Sequence, residues 1–278
     1  MLMTSTHPSI IALDLDGTLL TTDKRLTDRN RAALQSASDR GAYIVPATGR
    51  IFSGLPQVIR ELPFLKYAIL SNGASVYDVE KDAALYRAEL PVPQALEIMA
   101  WLDDQPLIYD CYMDDRGWMT AEMYDRMADY APDPRLIDYM RSIRTPVPDL
   151  KTLLRQNNRP IQKIQAFCRD VETQARLLQH LPFPGLSVSS SVARNVEINH
   201  AEANKGAALM ALAKHLHIPR EQVMAFGYGL NDLSMIRAAG TGVAMANAIP
   251  EVRTQADRVT LSNDADGVAA ALDGFLLH

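Results

Sequence analysis

Ser9-Ile10-Ile11-Ala12-Leu13-Asp14-Leu15-Asp16-Gly17-Thr18-Leu19-Leu20 is the stretch whose reading decides the fold of this chain. Ile10 to Leu13 is short, continuous, apolar and β-branched, which predicts a buried strand. It ends in two carboxylates one residue apart, followed by Gly-Thr. In open α/β sheets ligands bind at the carboxyl ends of strands, so this strand delivers Asp14 and Asp16 to the place where chemistry is done. Side chains two apart on an extended chain share a face. Carboxylates held that close repel, and a divalent cation, a basic residue or a shared proton must relieve the repulsion. Magnesium suits an all-oxygen site of this kind. Alone, the same residues also describe a strand followed by a solvated Asp-Gly turn, so the decision passes to the rest of the chain.

The chain has 278 residues, 47% of them hydrophobic and 22% charged, enough for one large packed domain or two smaller ones. A net charge of -5 argues against a nucleic-acid partner, which usually demands a basic face. Cys111 and Cys168 are far apart and form no metal-spacing motif, so a reducing, cytoplasmic setting is expected. Met1 to Ser9 carries no signal-peptide pattern, and no apolar run approaches the length of a membrane span. The expectation is an intracellular globular protein that binds neither membrane nor nucleic acid. Its oligomeric state is not legible.

Outward from the first strand, helix and strand alternate. Asn30 to Arg40 suits a helix with Thr27 or Asp28 as N-cap and Gly41 as stop. Ala42 to Ala47 is a second strand, ending in Thr48-Gly49-Arg50. Ile51 to Glu61 reads as a helix with an irregular start at Gly54 and Pro56, and Tyr67 to Leu70 as a third strand, ending in Ser71-Asn72-Gly73-Ala74. From about residue 82 to 190 the pattern mixes hairpin signals with helices. It includes a strand at Leu107 to Met113, a turn at Asp114 to Gly117 and a strand at Gln162 to Cys168. The first pattern then returns, with a helix at Lys205 to His217, a strand at Val223 to Phe226 and a closing helix at Gly267 to Leu277. The predicted architecture is α/β: a Rossmann-like parallel-sheet core formed by residues 1–81 and 191–278, interrupted by an inserted α+β cap domain at 82–190.

Four strand or helix ends then carry polar groups: Asp14 with Asp16, Thr48 beside Gly49, Lys205 behind Asn204, and Gly227-Tyr228-Gly229-Leu230-Asn231-Asp232. Phosphoryl transfer needs an in-line nucleophile, neutralised equatorial oxygens and a protonated leaving oxygen. Asp14 supplies a carboxylate nucleophile. Asp16 supplies an acid and then a base, provided its pKa lies above that of Asp14. Thr48 and Lys205 suit the phosphoryl oxygens, and Gly49 lets a phosphate approach the backbone. Each residue also has a plain structural reading. Thr48 caps a helix, Lys205 and Arg50 are surface charges, Asn231 and Asp232 cap the next helix, and Tyr112, Lys163, Arg116 and Trp118 pack the inserted domain.

Asp14-Leu15-Asp16-Gly17-Thr18, Thr48-Gly49-Arg50, Asn204-Lys205-Gly206 and the Gly-x-Gly-x-Asn-Asp stretch resemble the four motifs of the haloacid dehalogenase-like hydrolases. Ser71 to Ala74, Val243 to Ala248 and Asn263 to Val268 resemble the Cof-type, capped branch. The resemblance implies a Mg²⁺-dependent phosphatase of small phosphorylated metabolites, often sugar phosphates, acting through an aspartyl-phosphate. It implies Asp14 as nucleophile, Asp16 as acid/base, and Thr48 and Lys205 as phosphate binders. Gly49, Arg50, Asn72 and Asn231 are expected at the substrate, and Asp14, Asp16 and Asp232 at the metal. One departure stands out: the fourth motif of the family usually begins Gly-Asp, with that aspartate on magnesium, and here the position is Tyr228. A slower phosphatase, a site rebuilt around Asp232 and a non-catalytic binding or regulatory protein are all compatible with that change. A phosphomutase shares the same nucleophile.

Overall fold

The computed structural model describes residues 8–130, 134–190 and 193–276. Met1 to His7, most of the segment read for a targeting signal, and Leu277, the expected end of the closing helix, lie outside them. By contact density the chain divides into two compact units, one of Met1–Arg50, Leu55–Arg87 and Asn204–His278, the other of Ile51–Gly54 and Ala88–Ala203.

The first unit opens with strands β1 (Ile10–Leu13), β2 (Tyr43–Pro46), β3 (Tyr67–Leu70), β4 (Ser75–Asp78) and β5 (Ala83–Arg87). The second contributes β6 (Leu107–Met113), β7 (Arg116–Thr120), β8 (Arg144–Val147), β9 (Lys163–Cys168), β10 (Leu186–Ser189) and β11 (Asn195–His200), and the first resumes with β12 (Val223–Gly227), β13 (Thr241–Ala244) and β14 (Arg258–Val259). Five of these form a wholly parallel sheet in the order β14-β13-β12-β1-β2. β1 is flanked by a strand on each side and covered on both faces, and none of its four residues reaches solvent. That is why its sequence is a continuous apolar run rather than an alternation. Ala208, Leu209 and Leu212 of the helix Lys205–His215 pack on one face against Ile10, Ala12, Val223 and Ala225. The helix Asp28–Asp39 starts at Thr27, whose hydroxyl accepts the Asn30 N–H as predicted for an N-cap.

Several expectations are corrected. The third predicted strand, β3, belongs to an antiparallel sheet β3-β4-β5 and packs beside β2, with isolated parallel bridges at Ile44–Leu65 and Ala47–Ile69. The helix expected over Ile51 to Glu61 shrinks to Gln57–Arg60, because Pro56 sets a start and Gly54 interrupts what precedes it. Ala83–Arg87, placed in the insertion by composition, hydrogen-bonds β4 in the first unit. Asn195–His200, placed in the core half, pairs with β9 and β10 in the second.

The second unit holds a six-stranded mixed sheet, β10-β11-β9-β6-β7-β8. One face is apolar: Tyr109, Cys111 and Met113 of β6, Ile164 and Ala166 of β9, and Val196 and Ile198 of β11 pack against the helices Val92–Leu102 and Leu150–Asn157. Trp118 packs on this face, and its indole N–H donates to the Met113 carbonyl, so the packing reading is the right one for it. Cys111 and Cys168 are buried there as free thiols. Among the described residues no helix is long and apolar enough to cross a membrane.

Candidate active site

The site lies within the first unit, at the carboxyl ends of β1, β2 and β12 and the start of the helix Lys205–His215. Asp14 follows β1 and is nearly buried, and its Oδ1 accepts a hydrogen bond from Lys205 Nζ at 2.8 Å. Lys205 is wholly buried and donates also to Asp232 Oδ1 at 2.6 Å. The surface reading of this lysine is therefore excluded. Burial opposes its charge, yet Asp14 and Asp232 raise its pKa above the ordinary lysine value. The second Asp14 oxygen, Oδ2, is buried without a hydrogen-bond partner. Burial, reinforced by the Asp232 charge, pushes the Asp14 carboxyl up to about 7 against the pull of Lys205.

Asp16 sits differently. Arg50 grips its carboxylate through Nε at 3.0 Å and Nη2 at 3.2 Å, and Lys24 Nζ lies 2.8 Å from Oδ1. Burial would raise the Asp16 carboxyl, but Arg50 and Lys24 outweigh it and hold it below the usual carboxylate range. The order of pKa values required of an acid at Asp16 and a nucleophile at Asp14 is thus reversed in this structure. The repulsion between the aspartates is relieved by basic residues, three cations (Lys24, Arg50, Lys205) facing three carboxylates. Lys24 escaped the sequence reading because it lies in a polar loop, Thr21 to Arg25, with no pattern of its own. Arg50, expected at the substrate, is neither a surface charge nor uncommitted.

Thr48 caps no helix, since the chain beyond it stays irregular up to Gln57. Its hydroxyl accepts the Arg50 N–H at 3.3 Å, which fixes the turn that carries Gly49. Asn72, in the left-handed region at φ 60°, donates its N–H to the Thr48 carbonyl, and its Oδ1 accepts from Asn231 Nδ2 at 3.3 Å. Gly73 lets this loop meet the lysine: a Cβ there would lie 2.3 Å from the Asn204 carbonyl oxygen. The four expected substrate residues are thereby brought together around Thr48.

Asp232, expected as a metal ligand, is engaged by protein groups. Its Oδ2 accepts the N–H groups of Tyr228 at 2.8 Å and Gly229 at 2.9 Å, while Oδ1 is on Lys205. With about four lone-pair positions on a carboxylate, three are already taken. This side chain folds the glycine-rich loop and holds the ammonium. Tyr228 lays its ring on Gly17, so closely that a Cβ at Gly17 would sit 2.9 Å from Tyr228 Cζ. Burial, then Asp14, Asp232 and Asp16, push its phenol up to about 12, so it stands beside these carboxylates as a neutral group. Among the described residues no cluster of three or more His, Cys, Asp or Glu side chains is placed to hold a metal ion. The donor chemistry still fits a hard, oxygen-seeking cation at the Asp14 carboxylate, whose hydrogen bonds in this site come from Lys205 alone. Asp16 is the other carboxylate at hand.

The Cof-type stretches serve the same loop. Asn247 Nδ2 donates to the Gly17 carbonyl at 2.9 Å, and Asn263 Nδ2 to the Leu20 carbonyl at 3.0 Å. Asp264 accepts the Thr22 N–H at 2.8 Å and its hydroxyl at 2.7 Å. These three side chains pin the segment between Asp16 and Lys24, which places the Lys24 ammonium.

A parallel sheet whose first strand ends in two aspartates, with a buried lysine on the first, defines a phosphoryl-transferring hydrolase. The chain belongs to the haloacid dehalogenase-like hydrolases, whose family model matches residues 11–272. Phosphatase YwpJ of Bacillus subtilis is 32% identical, with 96% of this chain and 99% of that protein covered. The 5-amino-6-(5-phospho-D-ribitylamino)uracil phosphatase YitU of the same organism is 30% identical, over 97% and 98%. A solved haloacid dehalogenase-like hydrolase from B. subtilis superposes with a TM-score of 0.81 at 30% identity, covering 95% of this chain and 99% of that one. The chain is thus a phosphatase of this family, and its relatives act on small phosphorylated metabolites.

Proposed function

We propose that the chain is a Mg²⁺-assisted phosphatase of a small phosphorylated metabolite, in the sugar-phosphate class, with Asp14 as nucleophile. The observation that carries this reading is the buried Lys205–Asp14 pair. Lys205 holds Asp14 through Oδ1 and leaves Oδ2, the orphaned oxygen, available to attack phosphorus. The new bond is Oδ2–P, the broken one P–O of the leaving group, and the product is an aspartyl-phosphate that water then hydrolyses. Magnesium, held beside the nucleophile by the Asp14 carboxylate, would supply positive charge for the phosphoryl oxygens.

The chain's own residues supply the rest. A phosphate dianion arriving at Asp14 competes with Asp16 for Arg50 and Lys24. Once they turn to the phosphate, burial alone acts on Asp16 and raises its pKa, so that it carries the proton the leaving oxygen needs. Thr48, the Gly49 backbone and Asn72 are close enough to one another to orient the phosphoryl oxygens. Lys24→Ala is therefore expected to raise KM for a phosphomonoester about three- to tenfold, one charge-assisted contact being worth about 1 kcal/mol at a part-exposed site. An unchanged KM in steady-state kinetics would remove Lys24 from the phosphate.

The test of the whole reading is hydrolysis of a generic aryl phosphate across a Mg²⁺ titration, with Asp14→Asn as the blank. Mg²⁺-dependent turnover above that blank supports it, and none at any Mg²⁺ concentration overturns it in favour of a binding protein. Tyr228→Asp restores the carboxylate beside Asp14 and Asp16. It is expected to tighten Mg²⁺ binding about tenfold or more by calorimetry, as an added anionic ligand does for a hard cation. Parent-like affinity in a folded variant would show that position 228 is not a metal position in this chain.

A further inference from the structure

Tyr228, which stands where an aspartate was expected, is fixed in the active site from several sides, and every group that fixes it belongs to the first unit. It follows β12 directly. The Phe226 carbonyl, two residues earlier, accepts the Asp14 N–H at 3.1 Å, so Tyr228 and Asp14 leave neighbouring strands at the same end. The Tyr228 N–H donates to Asp232 Oδ2 at 2.8 Å, and its carbonyl accepts the Ile249 N–H at 3.0 Å. The ring packs against the apolar cluster of Ile236, Ala244, Ala248 and Val252. Its far end lies over Gly17, the residue after Asp16: a Cβ on Gly17 would meet Cζ at 2.9 Å and Cε1 and Cε2 at 3.0 Å. The hydroxyl is thereby held at one place, beside the loop that carries both aspartates. Among the described residues it has no hydrogen-bond partner.

An unsatisfied donor thus stands in the same site as an unsatisfied acceptor, the buried Asp14 Oδ2, and the two are not paired with each other. A phosphomonoester answers both, with phosphorus facing Oδ2 and an anionic oxygen accepting from the phenol. Charge points the same way. Lys24, Arg50 and Lys205 already face Asp14, Asp16 and Asp232. An aspartate at position 228 would add another negative charge beside an incoming dianion. A phenol, protonated at neutral pH, adds none and offers a proton to share. Hydrogen bonds to an ionised acceptor are among the stronger ones. The same protonated phenol is a poor ligand for a hard cation, which takes carboxylate or carbonyl oxygens and water.

We infer that the Tyr228 hydroxyl is a phosphate-binding group that donates to a phosphoryl oxygen while Asp14 faces phosphorus. This chain then holds with a neutral hydrogen bond part of what an aspartate would hold through a metal ion. The inference rests on the phosphatase reading above, and adds to it a residue that acts on phosphate rather than on magnesium.

Inorganic phosphate, which needs no turnover, is titrated by calorimetry into the parent and into Tyr228→Phe, each saturated with Mg²⁺. Mg²⁺ alone is titrated into both proteins separately. Phenylalanine keeps the ring and deletes only the hydroxyl. Phosphate affinity is expected to fall about tenfold, as for one lost hydrogen bond to a charged group, with Mg²⁺ affinity within about twofold of the parent. In the parent, phosphate should also perturb the tyrosine ultraviolet spectrum, and in Tyr228→Phe that change should vanish. Equal phosphate affinity in the two proteins overturns the inference and leaves the phosphatase reading to the aryl phosphate assay. A matching loss of Mg²⁺ affinity overturns it too, because the hydroxyl would then act through the metal. Phosphate binding to neither protein also overturns it, and aryl phosphate turnover then shows whether the wider reading survives. Should Tyr228→Phe fail to fold, the parent decides: phosphate bound without a tyrosine spectral change overturns the inference.

Discussion

Asp14→Asn should lower turnover of any phosphomonoester by roughly 10³-fold or more, because it removes the atom that bonds to phosphorus and leaves only binding and electrostatics. The same substitution should make the protein more stable at neutral pH. The Asp14 carboxyl is raised by burial and by Asp232 from 3.8 to about 7 in the folded chain. A carboxyl with a raised folded pKa binds more protons folded than unfolded, so stability falls as pH rises through that window and levels off above about 7. Asparagine carries no such charge. At pH 7.5 the variant should gain stability, up to about 4 kcal/mol as an upper bound from the shift, and its stability should lose the downward slope between pH 4 and 7. Urea denaturation at several pH values, beside a turnover assay, checks both halves. A variant that is inactive and also less stable at pH 7.5 would mean that the Asp14 charge is well compensated by Lys205, contrary to the orphaned Oδ2.

Lys205→Met should be the most damaging single change to stability. Its ammonium is wholly buried between Asp14 Oδ1 and Asp232 Oδ1. Removing one member of a buried ion cluster leaves the others uncompensated and costs about 3–5 kcal/mol. Two like charges would then share one desolvated site. The loss should shrink at low pH, where protonation of Asp14 relieves the repulsion. Activity should fall with it, since the nucleophile loses the group that orients it. Methionine preserves most of the side-chain volume, so the effect reads charge rather than a cavity. Denaturant titration at pH 5 and pH 8 decides: equal losses at both would show that the lysine stabilises by packing. In Asp14→Asn the same Lys205→Met change should cost less, because one of the two carboxylates is gone.

Much of the core was legible because its signals are local. Ile10 to Leu13 reads as a buried parallel strand, since both faces are covered and every residue must be apolar. Thr27 reads as a cap because an N-cap is a matter of a few adjacent residues. Asp14, Asp16, Thr48 and Lys205 stood out because each falls at the end of a strand or the start of a helix, and a parallel sheet gathers such ends on one side.

Tertiary structure alone decided the rest. That Arg50 and Lys24 share Asp16, reversing the expected order of the two aspartates, depends on a loop pinned by Asn247, Asn263 and Asp264 from the far end of the chain. That Asp232 holds a lysine and two amides, while Tyr228 covers Gly17, follows from how one glycine-rich turn folds over another strand's loop. The boundary at Asn195–His200 was missed because a strand's composition does not name its partner, and this one pairs with a strand some thirty residues back. The buried charges of the second unit were hidden for a related reason: all seven residues of β6 are buried, so periodicity within the strand could not say that Asp110 pairs with Arg144. Sequence determines which side chains are sent to a strand end or a sheet face. Charge pairing, burial and pKa depend on neighbours distant in the chain, and only the folded molecule brings those together.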